Sequence, residues 1–237
     1  MCSSDLDLPQ LISDHKSKDY RNGFRVGVLD LSSLELRWVD LHVDEIKGMG
    51  GTDIHQLAIS NDGRYIAAGC HVSDVMIDTV EQKVLWNGNS TKPFACLSLP
   101  VFSSDGSKVY VGDAISSNVV LLDTRTGDSI KQWHATETGR VIRGRSLACI
   151  AVSPDDNWVA VGAQMRGEVY LINTHSDGPP VVLQQKGGPR ALSFSPDSKR
   201  LACMAGDVIS IWEVPAGGPS AAPPKQAPAA GAKEASP

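Results

Sequence analysis

Four acidic residues recur in one short context. Asp62, Asp105, Asp155 and Asp197 each follow a serine by two positions, in Ser60-Asn61-Asp62-Gly63, Ser103-Ser104-Asp105-Gly106, Ser153-Pro154-Asp155-Asp156 and Ser195-Pro196-Asp197-Ser198. Carboxylates that converge can hold a metal or share a proton in acid–base chemistry. Carboxylates set among Ser, Gly, Pro and Asn more often accept hydrogen bonds from their own turn. A residue that appears once per repeat sits in a different unit each time, so these four are expected to cap turns, far apart from one another. Asp78 and Asp123 close apolar runs and are expected to bond the turn that follows.

Other candidate chemistry is weaker. The segment Gly139 to Ser146 approaches the phosphate loop GxxxxGK[ST], with Arg145 where the lysine belongs. That loop works by opening a helix after a buried parallel strand, whereas here an edge strand precedes and an inner strand follows, so context rejects a nucleotide site. The histidines (His15, His42, His55, His71, His134, His175) show no HxH or HExxH spacing. No GxSxG elbow or CxxC pair occurs. Asn89-Ser90-Thr91 matches a glycosylation sequon, which has meaning only in a secreted eukaryotic protein. The reading therefore expects no enzyme, no cofactor and no metal.

Composition bounds what can position such residues. The 237 residues, 41% hydrophobic and 21% charged, suit one globular unit of the size that all-β barrels and propellers occupy. No apolar run approaches the roughly 18 residues that span a bilayer, so no membrane segment is expected. The net charge of −5 argues against a nucleic-acid partner. Cys70, Cys96, Cys149 and Cys203 lie in apolar runs and read as small buried hydrophobes, which favours a reducing, cytoplasmic setting.

The serine-centred turns are 43, 50 and 42 residues apart, the spacing of four-stranded blades with loop insertions. Each turn follows a short apolar run (Leu57 to Ile59, Cys96 to Phe102, Leu147 to Val152, Ala191 to Phe194), strand a. Each precedes a β-rich run (Arg64 to Cys70, Lys108 to Ala114, Trp158 to Ala163, Arg200 to Met204), strand b. Strand c ends at Asp78, Asp123, Asn173 and Glu213, and a shorter, more polar strand d follows at Val84 to Trp86, Ile130 to Trp133 and Val181 to Leu183. Upstream, Gln10 to Ile12, Phe24 to Leu31 and Leu34 to Val39 fit strands b, c and d.

Ser-Pro-Asp turns joined to strands that end in an apolar residue and Asp resemble the WD-repeat β-propeller family, over roughly Leu8 to Val214. The resemblance is to a degenerate, bacterial-type member. The Trp-Asp dipeptide is replaced by Leu29-Asp30, Ile77-Asp78, Leu122-Asp123, Ile172-Asn173 and Trp212-Glu213, and the Gly-His dipeptide is absent. It implies an all-β propeller of about five four-stranded blades, the first and last incomplete, serving as a protein-interaction scaffold of the kind that forms part of larger signalling proteins. The alternatives are an enzyme-type propeller of the lactonase or quinoprotein class, with its active site outside this stretch, and the repeat domain of an exported redox protein with a haem module upstream.

The expected organisation is a partial blade over 7–41, blades over 42–88, 89–135 and 136–186, and a partial blade over 187–214. A Pro/Ala/Gly-rich tail over 215–237 has few apolar residues to bury and is expected to be disordered. Residues 1–6 read as the translation of a sequencing adapter, so the natural polypeptide is expected to continue upstream and to supply the strands that the first and last blades lack.

The connections from strand d to the next strand a should share one end of the propeller. They carry Lys47, Lys92, Arg140, Arg143, Arg145, Lys186 and Arg190 against Asp44, Glu45, Asp53 and Glu137, although the whole chain is net negative. An acidic protein partner is expected there, bound by Lys92, Arg140, Arg143, Arg145, Lys186 and Arg190, the Arg forks pairing carboxylates bidentately.

Overall fold

The structure is a computed structural model that describes residues 23–42, 54–70, 74–88, 98–113, 118–135, 147–164 and 166–216. It is all β, and its strands fall into five consecutive antiparallel sheets. Blade 1 contains β1 (Gly23–Leu29) and β2 (Leu36–His42). Blade 2 runs β3 (Ile54–Ile59), β4 (Tyr65–Cys70), β5 (Asp74–Asp78) and β6 (Lys83–Asn87) in spatial order. Blade 3 repeats the meander with β7 (Ser98–Phe102), β8 (Lys108–Asp113), β9 (Asn118–Asp123) and β10 (Ser129–His134). Blade 4 does so with β11 (Leu147–Val152), β12 (Trp158–Ala163), β13 (Glu168–Asn173) and β14 (Val181–Gln184). Blade 5 has β15 (Ala191–Phe194), β16 (Arg200–Ala205) and β17 (Val208–Glu213). The run Gln10 to Ile12 lies outside the described residues.

Successive blades stack through their inner strands, with β3 beside β7, β7 beside β11, and β11 beside β15. The period of two along each strand then sends alternate side chains into alternate neighbours. In β4, Ile66 and Ala68 face blade 1, while Tyr65 and Ala67 face blade 3. In β12, Val159 and Val161 join the core shared with blade 3, and Trp158 and Ala160 join the core shared with blade 5. Four apolar cores result, one at each of the four blade junctions. Both faces of an inner blade are covered, and for this reason β5, β9, β12 and β13 are almost uninterrupted apolar runs.

The recurrent aspartates hold the a–b turns. Ser60, Ser103, Ser153 and Ser195 donate their hydroxyls to Asp62, Asp105, Asp155 and Asp197 at 2.5–2.7 Å. The same carboxylates accept the backbone N–H two residues further on, at Arg64, Ser107, Asn157 and Lys199. The serine hydroxyl holds Asp62, Asp105 and Asp197 below the usual carboxylate range, Asp105 at about 2. At the ends of strand c, Asp78 accepts the N–H groups of Val80 and Glu81, and Asp123 those of Arg125 and Thr126, as expected. Thr79, Thr124 and Thr174 follow these residues and donate both N–H and hydroxyl back to the a–b turn of the same blade. Their regular placement after Asp78, Asp123 and Asn173 was a further repeat signal in the sequence.

One expectation needs correction, because the a–b turns are neighbours and not far apart. The Asn61 amide donates to Ser104 O at 2.8 Å, Ser104 N–H and hydroxyl donate to the Asp156 carboxylate, and Asp155 N–H donates to Ser198 Oγ at 3.1 Å. Blades 2 to 5 are therefore linked turn to turn at one end of the fold. The fourth position of each turn is left-handed: Gly63 (φ 71°), Gly106 (φ 69°), Asp156 (φ 58°) and Ser198 (φ 60°). Where glycine is replaced, the new side chain makes the bridge to the preceding blade, which offsets the strain of a side chain at positive φ. Asp156→Gly is expected to relieve that strain but lose the bridge, for a net loss of about 1 kcal/mol, and Asp156→Ala to lose about 2 kcal/mol. Chemical denaturation of both variants measures the difference.

The outer rim is joined in another way. Trp86 of β6 donates Nε1–H to Thr124 O in the c–d turn of blade 3 at 2.8 Å, and Trp133 of β10 reaches Ser176 O in blade 4 at 3.4 Å. Gly127 lies under the Trp86 ring, where a Cβ would come within 2.7 Å of it, and its φ is 67°.

Candidate interaction surface

The antiparallel meander puts the a–b and c–d turns at one end of the blades and the b–c and d–a connections at the other. Thr79 N–H to Arg64 O ties the first pair together, and Gln185 N–H to Gly167 O the second. The turn carboxylates and hydroxyls at the turn end are largely consumed by the internal bonds just described, while Arg125, Lys199 and Arg200 are exposed there. A cleft of about 300 Å³ opens there between blades 1 and 2, lined by Asp30, Leu31, Arg37, Ser60, Asn61 and Asp62 among others. The carboxylates of Asp30 and Asp62 already accept bonds from their own turns, and the Ser32 hydroxyl first holds Asp30 down to about 2. Both are acceptors in use, with no proton to give near neutrality.

Of the basic residues expected at the opposite end, Lys92, Arg140, Arg143 and Arg145 lie outside the described residues. Lys186 and Arg190 are described, and both are exposed. They sit on the connection from blade 4 to blade 5, whose backbone is fixed at several points. Gln185 N–H bonds Gly167 O at 2.7 Å, and Arg190 N–H bonds Met204 O at 2.8 Å. The loop packs so closely that a Cβ on Gly167 would meet Gln185 O at 2.4 Å, and one on Gly188 would meet Gln164 O at 2.6 Å. Gly167 also has a φ of 64°, so alanine there would be both strained and obstructed. Lys186 and Arg190 are thus held on a shaped loop, and neither makes an ion pair among the described residues. Arg166, on the adjoining b–c turn, approaches Glu168 at 3.9 Å.

The same end holds two carboxylates that the loop sequences could not reveal. Asp74 opens β5 in blade 2 and Asp113 ends β8 in blade 3, with 3% and 2% of their surface exposed. Burial, and then the Asp113 carboxylate, push Asp74 up to about 7. The charge balance of this end is therefore less basic than its d–a connections alone suggest, though both acids are buried beneath the surface that a partner would meet. Both sit at strand ends, where a polar residue reads from sequence as the start of a solvated loop.

Residue types that could act as nucleophiles or metal ligands remain apart among the described residues. Cys149 and Cys203 are free and buried, and burial pushes their thiols up to about 12 and about 11, so neither is reactive at neutral pH. His134 bonds Asn118 and His175 bonds Asn157, one within blade 3 and the other within blade 4. Among the described residues no three His, Cys, Asp or Glu side chains come together as a metal site. No helix among them is long and apolar enough to cross a membrane.

Four stacked junctions between antiparallel sheets, three of them tied turn to turn, define a β-propeller. Solved structures agree. The β-propeller domain of Myceliophteria thermophila Cps50 (Swd1) superposes with a TM-score of 0.64 at 14% identity, over 86% of this chain and 64% of that one. Kuenenia stuttgartiensis hydrazine synthase superposes with a TM-score of 0.55 at 22% identity, over 70% of this chain and 48% of that one. This chain thus spans less than two thirds of either matched chain. No protein-family model matches the sequence, and no curated protein matches it.

Proposed function

We propose that this propeller is a protein-interaction scaffold of WD-repeat type, which receives an acidic protein partner at the end formed by its b–c and d–a connections. The observation that carries the reading is the pair Lys186 and Arg190, exposed, without ion-pair partners among the described residues, and mounted on a backbone-bonded loop. In the sequence, Arg140, Arg143 and Arg145 fall between the last strand of blade 3 and the first of blade 4, and Lys92 between the corresponding strands of blades 2 and 3. The opposite end spends most of its turn carboxylates and serine hydroxyls on its own turns. Scaffolding also suits a fold whose candidate nucleophiles are buried or distant, and the unreactive thiols of Cys149 and Cys203 suit a cytoplasmic chain.

A fluorescent glutamate-rich peptide titrated at low ionic strength tests this. Binding is expected, weakening as salt screens it. The double variant Lys186→Glu/Arg190→Glu should weaken it at least about tenfold, two exposed charge pairs each contributing up to roughly 1 kcal/mol and reversal adding repulsion. Equal binding by the variant, or no binding at low ionic strength, would remove the basis for the proposal.

A further inference from the structure

We propose that Cys149 and Cys203 are a paired modification site, which closes as a disulfide between blades 4 and 5 when the chain meets a small-molecule disulfide oxidant. The proposal does not depend on the basic end or on a partner.

Register places the two side chains on facing sides of one junction. Cys149 of β11 lies opposite Gly162 of β12, beside Ala151 opposite Ala160. Ala160 belongs to the core between blades 4 and 5, and so does Val169, which pairs with Gly162. Leu147, Ile150 and Val152, on the other face of β11, pack into the core shared with blade 3. A Cβ on Gly162 would meet the Cys149 Sγ at 2.6 Å, so the sulfur fills the space over that glycine, on the face toward blade 5. From the other sheet, Cys203 of β16 lies opposite Leu192 and enters the same core with Leu201 and Trp212. The equivalent pair one junction earlier is Leu99, opposite Gly112, and Val161, the fourth residue of β12 as Cys203 is of β16. Leu99 and Val161 share one core. The two sulfurs also sense each other, since burial first, and then Cys203, push the Cys149 thiol up to about 12.

A disulfide suits the place because it is uncharged, whereas two thiolates around a metal ion would bury charge among Trp158, Leu171 and Leu201. One cysteine thiolate attacks a sulfur of oxidised glutathione and expels a glutathione thiolate. The other then attacks the protein sulfur of the mixed disulfide and expels the second. Two electrons pass from the cysteines to glutathione, and the two thiol protons end on the two reduced glutathiones. Burial keeps both thiols protonated in the closed junction, so the exchange runs while blade 5 is lifted off blade 4. The closed junction then shields the bond, and in a reducing compartment the pair stays a dithiol.

The test incubates the full chain with oxidised glutathione in subdenaturing urea, then alkylates it under denaturing conditions for mass spectrometry. Nonreducing digestion should join the Cys149 and Cys203 peptides in one species, lighter by two hydrogens than the sum of its parts. The bond closes a loop of roughly fifty residues, so the unfolding equilibrium constant should fall at least about tenfold, and dithiothreitol should restore it. Cys149→Ala and Cys203→Ala each keep a small apolar side chain and should show no such gain, with thermal unfolding to verify that both fold. Alkylation of both residues after oxidation, bonds that join Cys149 or Cys203 to Cys70 or Cys96 instead, or a cross-linked chain that unfolds as readily as the reduced one would overturn the proposal.

Discussion

Leu171→Ala is expected to lower the stability of the chain by about 3–4 kcal/mol, the upper part of the usual range for a buried leucine. Leu171 is 0% exposed, and it sits in the core between blades 4 and 5 with Trp158, Ala160, Leu183, Leu201 and Trp212. Truncation removes three carbons from a site walled by two sheets. Neither sheet can close the gap by itself, because the turn bridge between Asp155 and Ser198 fixes their separation at one end. With native domains stable by only about 5–15 kcal/mol, such a loss is large. Urea denaturation of the variant against the parent gives the value. A loss below about 1 kcal/mol would mean that blade 5 does not pack on blade 4 in solution.

The second large effect depends on pH. Asp74 is raised up to about 7 by its burial and then by Asp113, whereas in the unfolded chain it titrates near 3.8. Below the unfolded value both states hold the proton and nothing is lost. As pH rises from there, the unfolded state ionises while the folded state stays neutral, so stability falls until the folded group also ionises near pH 7. Integrated over that window the loss is about 4 kcal/mol. The turn carboxylates Asp30 and Asp105, held at about 2, act with the opposite sign, and their contribution is lost only as pH falls through their folded values. Comparison with Asp74→Asn isolates the one term from the other. The variant should match the parent near pH 4 and exceed it by several kcal/mol at pH 8. Parallel curves for the two proteins would show that Asp74 is not held neutral.

The strands were legible because each blade repeats one local grammar. A serine, then an acid two residues later, closes a hairpin between two apolar runs, and an acid ends the third strand. That grammar located β3 to β17 to within a few residues at either end. Relations between blades were harder to read. Asn61, Ser104, Asp156 and Ser198 look like ordinary turn residues, yet they bridge neighbouring blades because stacking brings equivalent turns together. Asp74 and Asp113 were missed for a related reason, since their burial depends on the neighbouring sheet and not on their own strand. Of the basic residues singled out from the sequence, the structure describes Lys186 and Arg190, and it adds the loop geometry that presents them.

The scaffold reading makes one end of the propeller the place of contact, and amide hydrogen exchange with and without the glutamate-rich peptide locates that contact directly. Slowed exchange is predicted at the amides of the 164–168 and 185–190 connections around Gly167, Lys186 and Arg190. The amides of the a–b turns at Asn61, Ser104 and Asp155 should be unchanged. Protection confined to those turns, or to the cleft between blades 1 and 2, would contradict the assignment of the partner to the basic end.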